Sequence, residues 1–387
     1  MGEAVLRKVG VEVHGIRMPV IRRGDDLVKM AAERLVEASA SGYAPFTLRD
    51  RDVVGVTESL VARAQGNIVT LEDIAADVRG KIPEGDAAVA FPILSRNRFM
   101  SLLDGIVRGI RGKVHLFLSS PADEVGNHLI DPVEYLKRSP GMPECFGTAE
   151  YDARFGRYRH PFTGVDYVEL YKDLAPGRIE IHFTNNPLRI LDVTSRVVMA
   201  NIHNRVLYAG LLRERGASVW TLDQICTEPR SNGGGYNPEF GLLGSNYSQE
   251  GTVKLFPRDA GAFARGLQQE ILRLTGRRVE VLVYGDGAFK DPVCGIWELA
   301  DPVVSPGYTD GLKGTPSEIK FKMIADNAQG DAEEAVRSAI RSKPAASGRE
   351  SGLAEDKNAL GTTPRRYTDL LGSLCDLVSG SGDRGTP

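Results

Sequence analysis

From about Lys113 to Ile225, apolar runs of strand length (VHLFLSS, RIEIHFT, RVVMANI and ASVWTL) alternate with stretches of helical periodicity such as Val165 to Leu174 and His203 to Arg215. This alternation constrains the fold more than any other feature of the chain. Strands joined through helices of this length pair in parallel, because a parallel connection has to cross the sheet and a helix is the usual crossover. Residues 113–226 therefore read as a parallel, Rossmann-like α/β region. Between its first two strands, residues 138–162 are rich in Pro, Gly and aromatics. That composition predicts a long lid-like loop rather than a regular element.

A second α/β unit flanks this region. Asp25 and Asp26 precede the periodic run Leu27 to Val36, as acidic residues do at a helix N-terminus. Asp52 to Thr57 reads as a buried strand, followed by a helix or tight turn through Ala62 to Gly66, and Ala87 to Phe91 as a short strand. Beyond the parallel region come a glycine-rich loop from Ser231 to Asn246, the strand TVKLF, a helix from Ala260 to Leu274, and the strand VEVLVYGDG at 279–287. Residues 343–366 are polar and poor in apolar side chains, which predicts a connector, and a helix from Tyr367 to Val378 follows. The expected organisation is a mixed-sheet core from 1–112, 227–342 and 367–387, interrupted by the 113–226 insertion and the 343–366 connector.

Composition removes several function classes. With 48 basic and 51 acidic residues the formal charge is -3, too little positive field for non-specific phosphate binding, so no nucleic-acid partner is expected. The four cysteines, at 145, 226, 294 and 375, form no CxxC pair, which fits free thiols and a cytoplasmic address. No stretch approaches the roughly 18 apolar residues of a membrane span, and the N-terminus has no apolar signal region. No HxxxH or HExxH spacing occurs, which argues against a histidine-rich zinc site.

The segment VEVLVYGDGAFKDP carries the most chemistry. An apolar strand ending in Gly285-Asp286-Gly287 puts a carboxylate at a sheet's carboxyl edge, where α/β sheets bind ligands. There Asp286 suits a magnesium or manganese ion bridged to phosphate oxygens, the glycines admit a phosphate, and Lys290 supplies a point charge. An Asp-Gly turn cap accounts for the same residues without chemistry. In the glycine-rich loop, Gly241 and Gly244 with Ser245 and Asn246 offer a backbone nest for anionic oxygens, and Glu239 offers a further carboxylate. A surface loop explains these glycines almost as well, and the loop is neither a P-loop nor a GxGxxG turn. Arg96 and Arg98 place two guanidiniums where a carboxylate or phosphate substrate can be gripped; they are also ordinary surface residues. His128 and His203 sit at strand-to-helix transitions and read as structural hydrogen-bonders.

Taken together, PVIRRGDDLV (19–28), RDVVGVTESLVARAQGN (51–67), FGLLGSN (240–246), TVKLFPRDAGAFARGLQQEI (252–271), VLVYGDGAF and DLLGSLCDLVSGSGD (369–383) resemble, in order and spacing, the coenzyme F420-0:gamma-glutamyl ligase family. The resemblance implies a homodimeric ligase in which GTP or ATP, with Mg2+ or Mn2+, drives addition of an amino acid such as L-glutamate to an F420-0-like carboxylate. It implies Asp286 as metal ligand and Ser245 and Asn246 near the substrates. The pattern departs at Leu243, where the family has a further metal-binding Asp, at Ser59 in place of a Lys, and at Gly287 in place of a Thr. Glu239 is the available substitute for the missing carboxylate. The family continues past the last helix into another strand, which implies a truncated or alternative C-terminus. Two other classes stand beside this one: a Rossmann-like oxidoreductase or group transferase built on the insertion, and a non-catalytic binding protein on a ligase scaffold.

Overall fold

The computed structural model describes residues 10–42, 45–95, 99–160, 164–285, 289–290, 297–298, 305–314, 320–342 and 366–379. In chain order its strands are β1 (Val53–Thr57), β2 (Ile68–Thr70), β3 (Ala87–Ala90), β4 (Val114–Leu118), β5 (Phe146–Gly147), β6 (Ile179–Phe183), β7 (Arg196–Met199), β8 (Ser218–Thr221), β9 (Asn246–Gln249), β10 (Thr252–Lys254), β11 (Glu280–Tyr284), β12 (Phe289–Lys290), β13 (Trp297–Glu298) and β14 (Gly307–Tyr308). The molecule is a mixed α/β protein with parallel and antiparallel pairing.

The largest sheet runs β5-β6-β4-β3-β7-β8, every pair parallel except β5 with β6. Sheets of this kind are covered on both faces, so their strands are apolar almost throughout. One face sends Val89, Leu116, Leu118, Ile181 and Phe183 into a core shared with the helices Leu71–Lys81 and Phe99–Gly109. On the other face Ala88, Ala90, Phe117, Val197 and Met199 pack under the helix Arg205–Glu214. The first of these helices starts where it does because Thr70 and Asp73 form a reciprocal capping box, satisfying two backbone donors that the helix itself leaves open.

The parallel sheet begins earlier than residue 113. β3, assigned from sequence to the N-terminal unit, is the strand between β4 and β7. Its four residues, Ala-Ala-Val-Ala, are all buried but too short to announce a central position. The 138–162 segment is also not a plain lid. It contains β5 and the helix Thr148–Phe155, and its aromatics fill the core: Tyr151 stacks on Phe183 at 4.8 Å and Phe146 at 5.1 Å between ring centroids.

In the second sheet, order β1-β11-β14, β1 and β11 run parallel with Thr57 opposite Tyr284. Val56, Val281 and Val283 meet the helices Leu27–Ser39 and Ala260–Thr275 on one face, and Leu282 and Tyr284 meet Leu371 and Cys375 of the helix Tyr367–Ser379 on the other. A small antiparallel sheet, β2-β10-β9, joins the two units, since Val69 and Val253 belong to the core of the larger sheet. Residues 343–365 of the expected connector lie outside the described residues. Among the described residues no helix is long and apolar enough to cross a membrane, and Cys145, Cys226 and Cys375 are free thiols.

Candidate functional site

The parallel register of β1 and β11 makes their carboxyl ends leave the sheet side by side, so Glu58 follows Thr57 next to Gly285, which follows Tyr284. Glu58 opens the helix Glu58–Gln65, whose first turn is capped by the Thr57 hydroxyl accepting from the Ser59 N–H. The Glu58 side chain is 3% exposed and is ion-paired with Lys254, itself 12% exposed. Lys254 ends β10 and lies opposite Asn246 of β9. A carboxylate and an ammonium, both withdrawn from water, thus face each other where three separate stretches of chain converge. Ser245, one residue before β9, is buried, and its hydroxyl has no hydrogen-bond partner among the described residues. An orphaned buried hydroxyl costs free energy, and such groups in native proteins commonly serve a ligand or water.

The glycine-rich loop before Ser245 is docked rather than free. Asn67, fully buried, donates through Nδ2 to the carbonyls of Tyr236 (2.9 Å) and Phe256 (2.6 Å) and accepts the Tyr236 N–H at 3.0 Å. Gly235 donates its N–H to the Ile68 carbonyl at 2.8 Å. Asn237, also buried, accepts the N–H groups of Glu239 and Phe240 and donates to the Phe256 and Pro257 carbonyls. Gly241 has φ 51°, and a Cβ there would lie 2.4 Å from the Ile225 carbonyl and 2.8 Å from that of Leu222. Carbonyl oxygens repel an anion, so Gly241 is glycine for packing, not for phosphate. Gly244, at φ 71°, turns the chain into Ser245.

Leu243 is 1% exposed and part of the main core, so the position at which the resemblance implies a metal-binding carboxylate is an apolar one. Glu239 is exposed on the turn that Asn237 holds, and among the described residues it joins no group of potential metal ligands. Asp286 and Gly287 lie outside the described residues, as do Arg96 and Arg98; Lys290 is in β12, but its side chain is not described. The described residues at the β1/β11 edge thus suit a carboxylate or phosphate group, through Lys254, Ser245 and Asn246. They do not by themselves make a metal site there.

The large sheet has its own carboxyl edge. From β3 the chain steps to β4 and β6 on one side, then returns to β7 and β8 on the other, which makes the β3/β7 boundary a switch point where a nucleotide would bind. The backbone donors there are already taken. Asp123 accepts from the N–H groups of Leu94 (2.8 Å), Val125 (3.0 Å) and Asn127 (2.8 Å), and Glu124 from those of Ile202 (2.5 Å) and His203 (3.1 Å). Burial raises both carboxyls above their ordinary values, outweighing these donors. With two internal carboxylates against the loops after β3 and β7, a phosphate would meet negative charge. This arrangement speaks against the dinucleotide-binding alternative. His203 contributes only its backbone N–H to it, and His128 is placed by a bridge to Ala122.

Sequence reasoning named Ser245 and Asn246 and did not name Glu58, Lys254 and Asn67, which the structure gathers near them. The available signal was a Thr-Glu pair ending a strand, expected to be buried but with only Val56 of Val53–Thr57 buried, the N-cap and first turn of a helix at a carboxyl edge. The model of the F420-0:Gamma-glutamyl ligase family matches residues 15–387. No curated protein matches the chain at a significant level.

Proposed function

Because the chain belongs to the F420-0:gamma-glutamyl ligase family, we propose that it is a GTP- or ATP-dependent ligase joining a carboxylate, F420-0 or a relative of it, to the amino group of an amino acid such as L-glutamate. The family match over nearly the whole chain carries this reading. In it, the six-stranded region is an insertion into the ligase core and the working molecule is a cytoplasmic homodimer.

A carboxylate is a poor electrophile. Transfer of the γ-phosphoryl group to one of its oxygens gives an acyl phosphate and a nucleoside diphosphate. The amine then attacks the acyl carbon, the bond from that carbon to the phosphate oxygen breaks, and amide and inorganic phosphate leave. Lys254 supports this reading as a positive charge largely withdrawn from water, positioned by Glu58, toward which an anionic substrate is drawn. Ser245 supplies a hydroxyl with no partner among the described residues, and Asn246 an amide beside it. Gly285 and Gly287 let phosphate approach the chain closely, with Lys290 as a further cation. A bound Mg2+ or Mn2+, held by Asp286, would neutralise the phosphoryl group being transferred. Glu239 enters only as a candidate second ligand, removed if Glu239→Gln leaves metal dependence unchanged.

The test is triphosphate turnover against a panel of carboxylic acids and amino acids, with mass detection of the amide. Diphosphate and phosphate should appear only when both acid and amine are present, and Asp286→Asn should abolish their release. Turnover indifferent to the amine would refute a ligase. Absence of nucleotide binding by calorimetry would instead favour a binding protein on this scaffold, the reading that the apolar Leu243 suggests.

A further inference from the structure

Away from that edge, the face of the large sheet that carries Phe117 also carries three polar side chains with metal-ligand chemistry. The register of β4 and β6 places His115 opposite Glu180 and Phe117 opposite His182. His115 Nδ1 and His182 Nε2 are 3.0 Å apart, and the Glu180 carboxylate reaches the same two nitrogens at 3.8 and 3.9 Å. One ligand atom from each residue lies within 4.8 Å of the others.

We propose that His115, Glu180 and His182 form a binding site for a divalent first-row transition metal ion, with zinc the reference case. Ligand atoms at about 2.0–2.1 Å from a tetrahedral ion are about 3.3–3.4 Å from one another. The two histidine nitrogens are somewhat closer than that value, and the two Glu180 contacts come from different carboxylate oxygens, so closure on an ion opens the histidine pair slightly and draws the half-exposed Glu180 carboxylate inward by a side-chain rotation. Without an ion, two imidazole nitrogens at hydrogen-bond distance share a single proton; with one, both lone pairs point at the cation. Imidazole and carboxylate donors select zinc-type ions over magnesium, which prefers oxygen alone.

The surroundings hold the ligands in place. His115 has an 8% exposed side chain on a central strand, and its other nitrogen, Nε2, faces the Asp86 carboxylate at 3.8 Å. A carboxylate behind a ligating histidine fixes which nitrogen is free to bind metal. Asp86 is itself anchored, accepting the Lys113 N–H at 2.8 Å. The His182 ring stacks on Phe117 at 4.7 Å. Glu180 is 53% exposed, so the site opens to solvent on its side and leaves coordination positions to water or a small ligand. The ion would tie β4 to β6, independent of the β1/β11 edge and of the ligase reading.

The full-length protein, stripped with chelator, is titrated with Co2+ and followed by visible absorption. The site predicts a single saturable band displaced by Zn2+ and not by Mg2+. Glu180→Gln, at an exposed position that does not threaten folding, should shift the saturation point to at least about tenfold higher metal, and Asp86→Asn by about 10–100-fold, while keeping its bond to Lys113. His182→Ala should remove the band, and Asp286→Asn should leave it intact, which separates this site from the ligase metal. Absence of a saturable band, or a band unaffected by Glu180→Gln and Asp86→Asn, overturns the proposal.

Discussion

Lys254 and Glu58 are the residues at which the candidate site and the stability of the fold meet. Removing one partner of a buried ion pair takes away the main compensation of the other charge, at a cost of about 3–5 kcal/mol. Lys254→Met is therefore expected to lower unfolding free energy by about 3 kcal/mol in urea denaturation, and Glu58→Gln added to it to restore most of the loss. Ser245→Ala separates function from folding. Its hydroxyl has no partner among the described residues, so the alanine variant should be as stable as the parent or slightly more so. If the hydroxyl holds substrate, kcat/KM in the ligase assay should fall about tenfold, the equivalent of one hydrogen bond. Unchanged kinetics would remove Ser245 from the site. His182 gives a pH signature in metal-free protein. Burial, then His115, holds it below its ordinary value of 6.5, with Glu180 opposing. The unfolded chain then binds the proton more tightly, so the contribution is complete above pH 6.5 and is lost as pH falls through the folded value. Relative to His182→Gln, the parent should therefore lose stability as the pH falls below 6.5; a flat difference would contradict the burial argument.

At the scale of elements, the glycine loop shows how one composition hides two roles. A Cβ added at Gly233, where φ is 70°, would meet no atom within 4 Å, whereas Gly241 is pressed against two carbonyl oxygens. Alanine at 233 should cost only the left-handed backbone penalty, about 1 kcal/mol. Alanine at 241 must also push the chain away from Ile225 and Leu222, and thermal denaturation should show a drop several times larger. Equal drops would mean that the loop is not docked as described. The helices follow the same logic. Leu27–Ser39 and Ala260–Thr275 were readable from periodicity, while Leu71–Lys81 was not, although its capping box is a local signal. Its first turn abuts the short strand β2, and without that neighbour the Thr-Leu-Glu-Asp run carries no direction. The aromatics of 138–162 misled for a related reason: Pro and Gly mark irregular chain, but Phe146 and Tyr151 were there to cover Phe183.

Over the whole molecule, the two units are joined by contacts between residues very distant in sequence. β1 pairs with β11, and Asn67 bonds Tyr236 across 169 positions. The order, spacing and periodicity of the segments by themselves determined the α/β class, the parallel pairing of the central region, and the family. Those properties follow from local propensity and from the alternation of strand and helix, both written along the chain. The tertiary structure alone decided that β3 sits inside the large sheet, that Leu243 belongs to a core, that Glu58 pairs with Lys254, and that His115 meets Glu180 and His182. Strand register and burial are set by which surfaces meet in space, and a one-dimensional pattern does not encode the partner across a sheet.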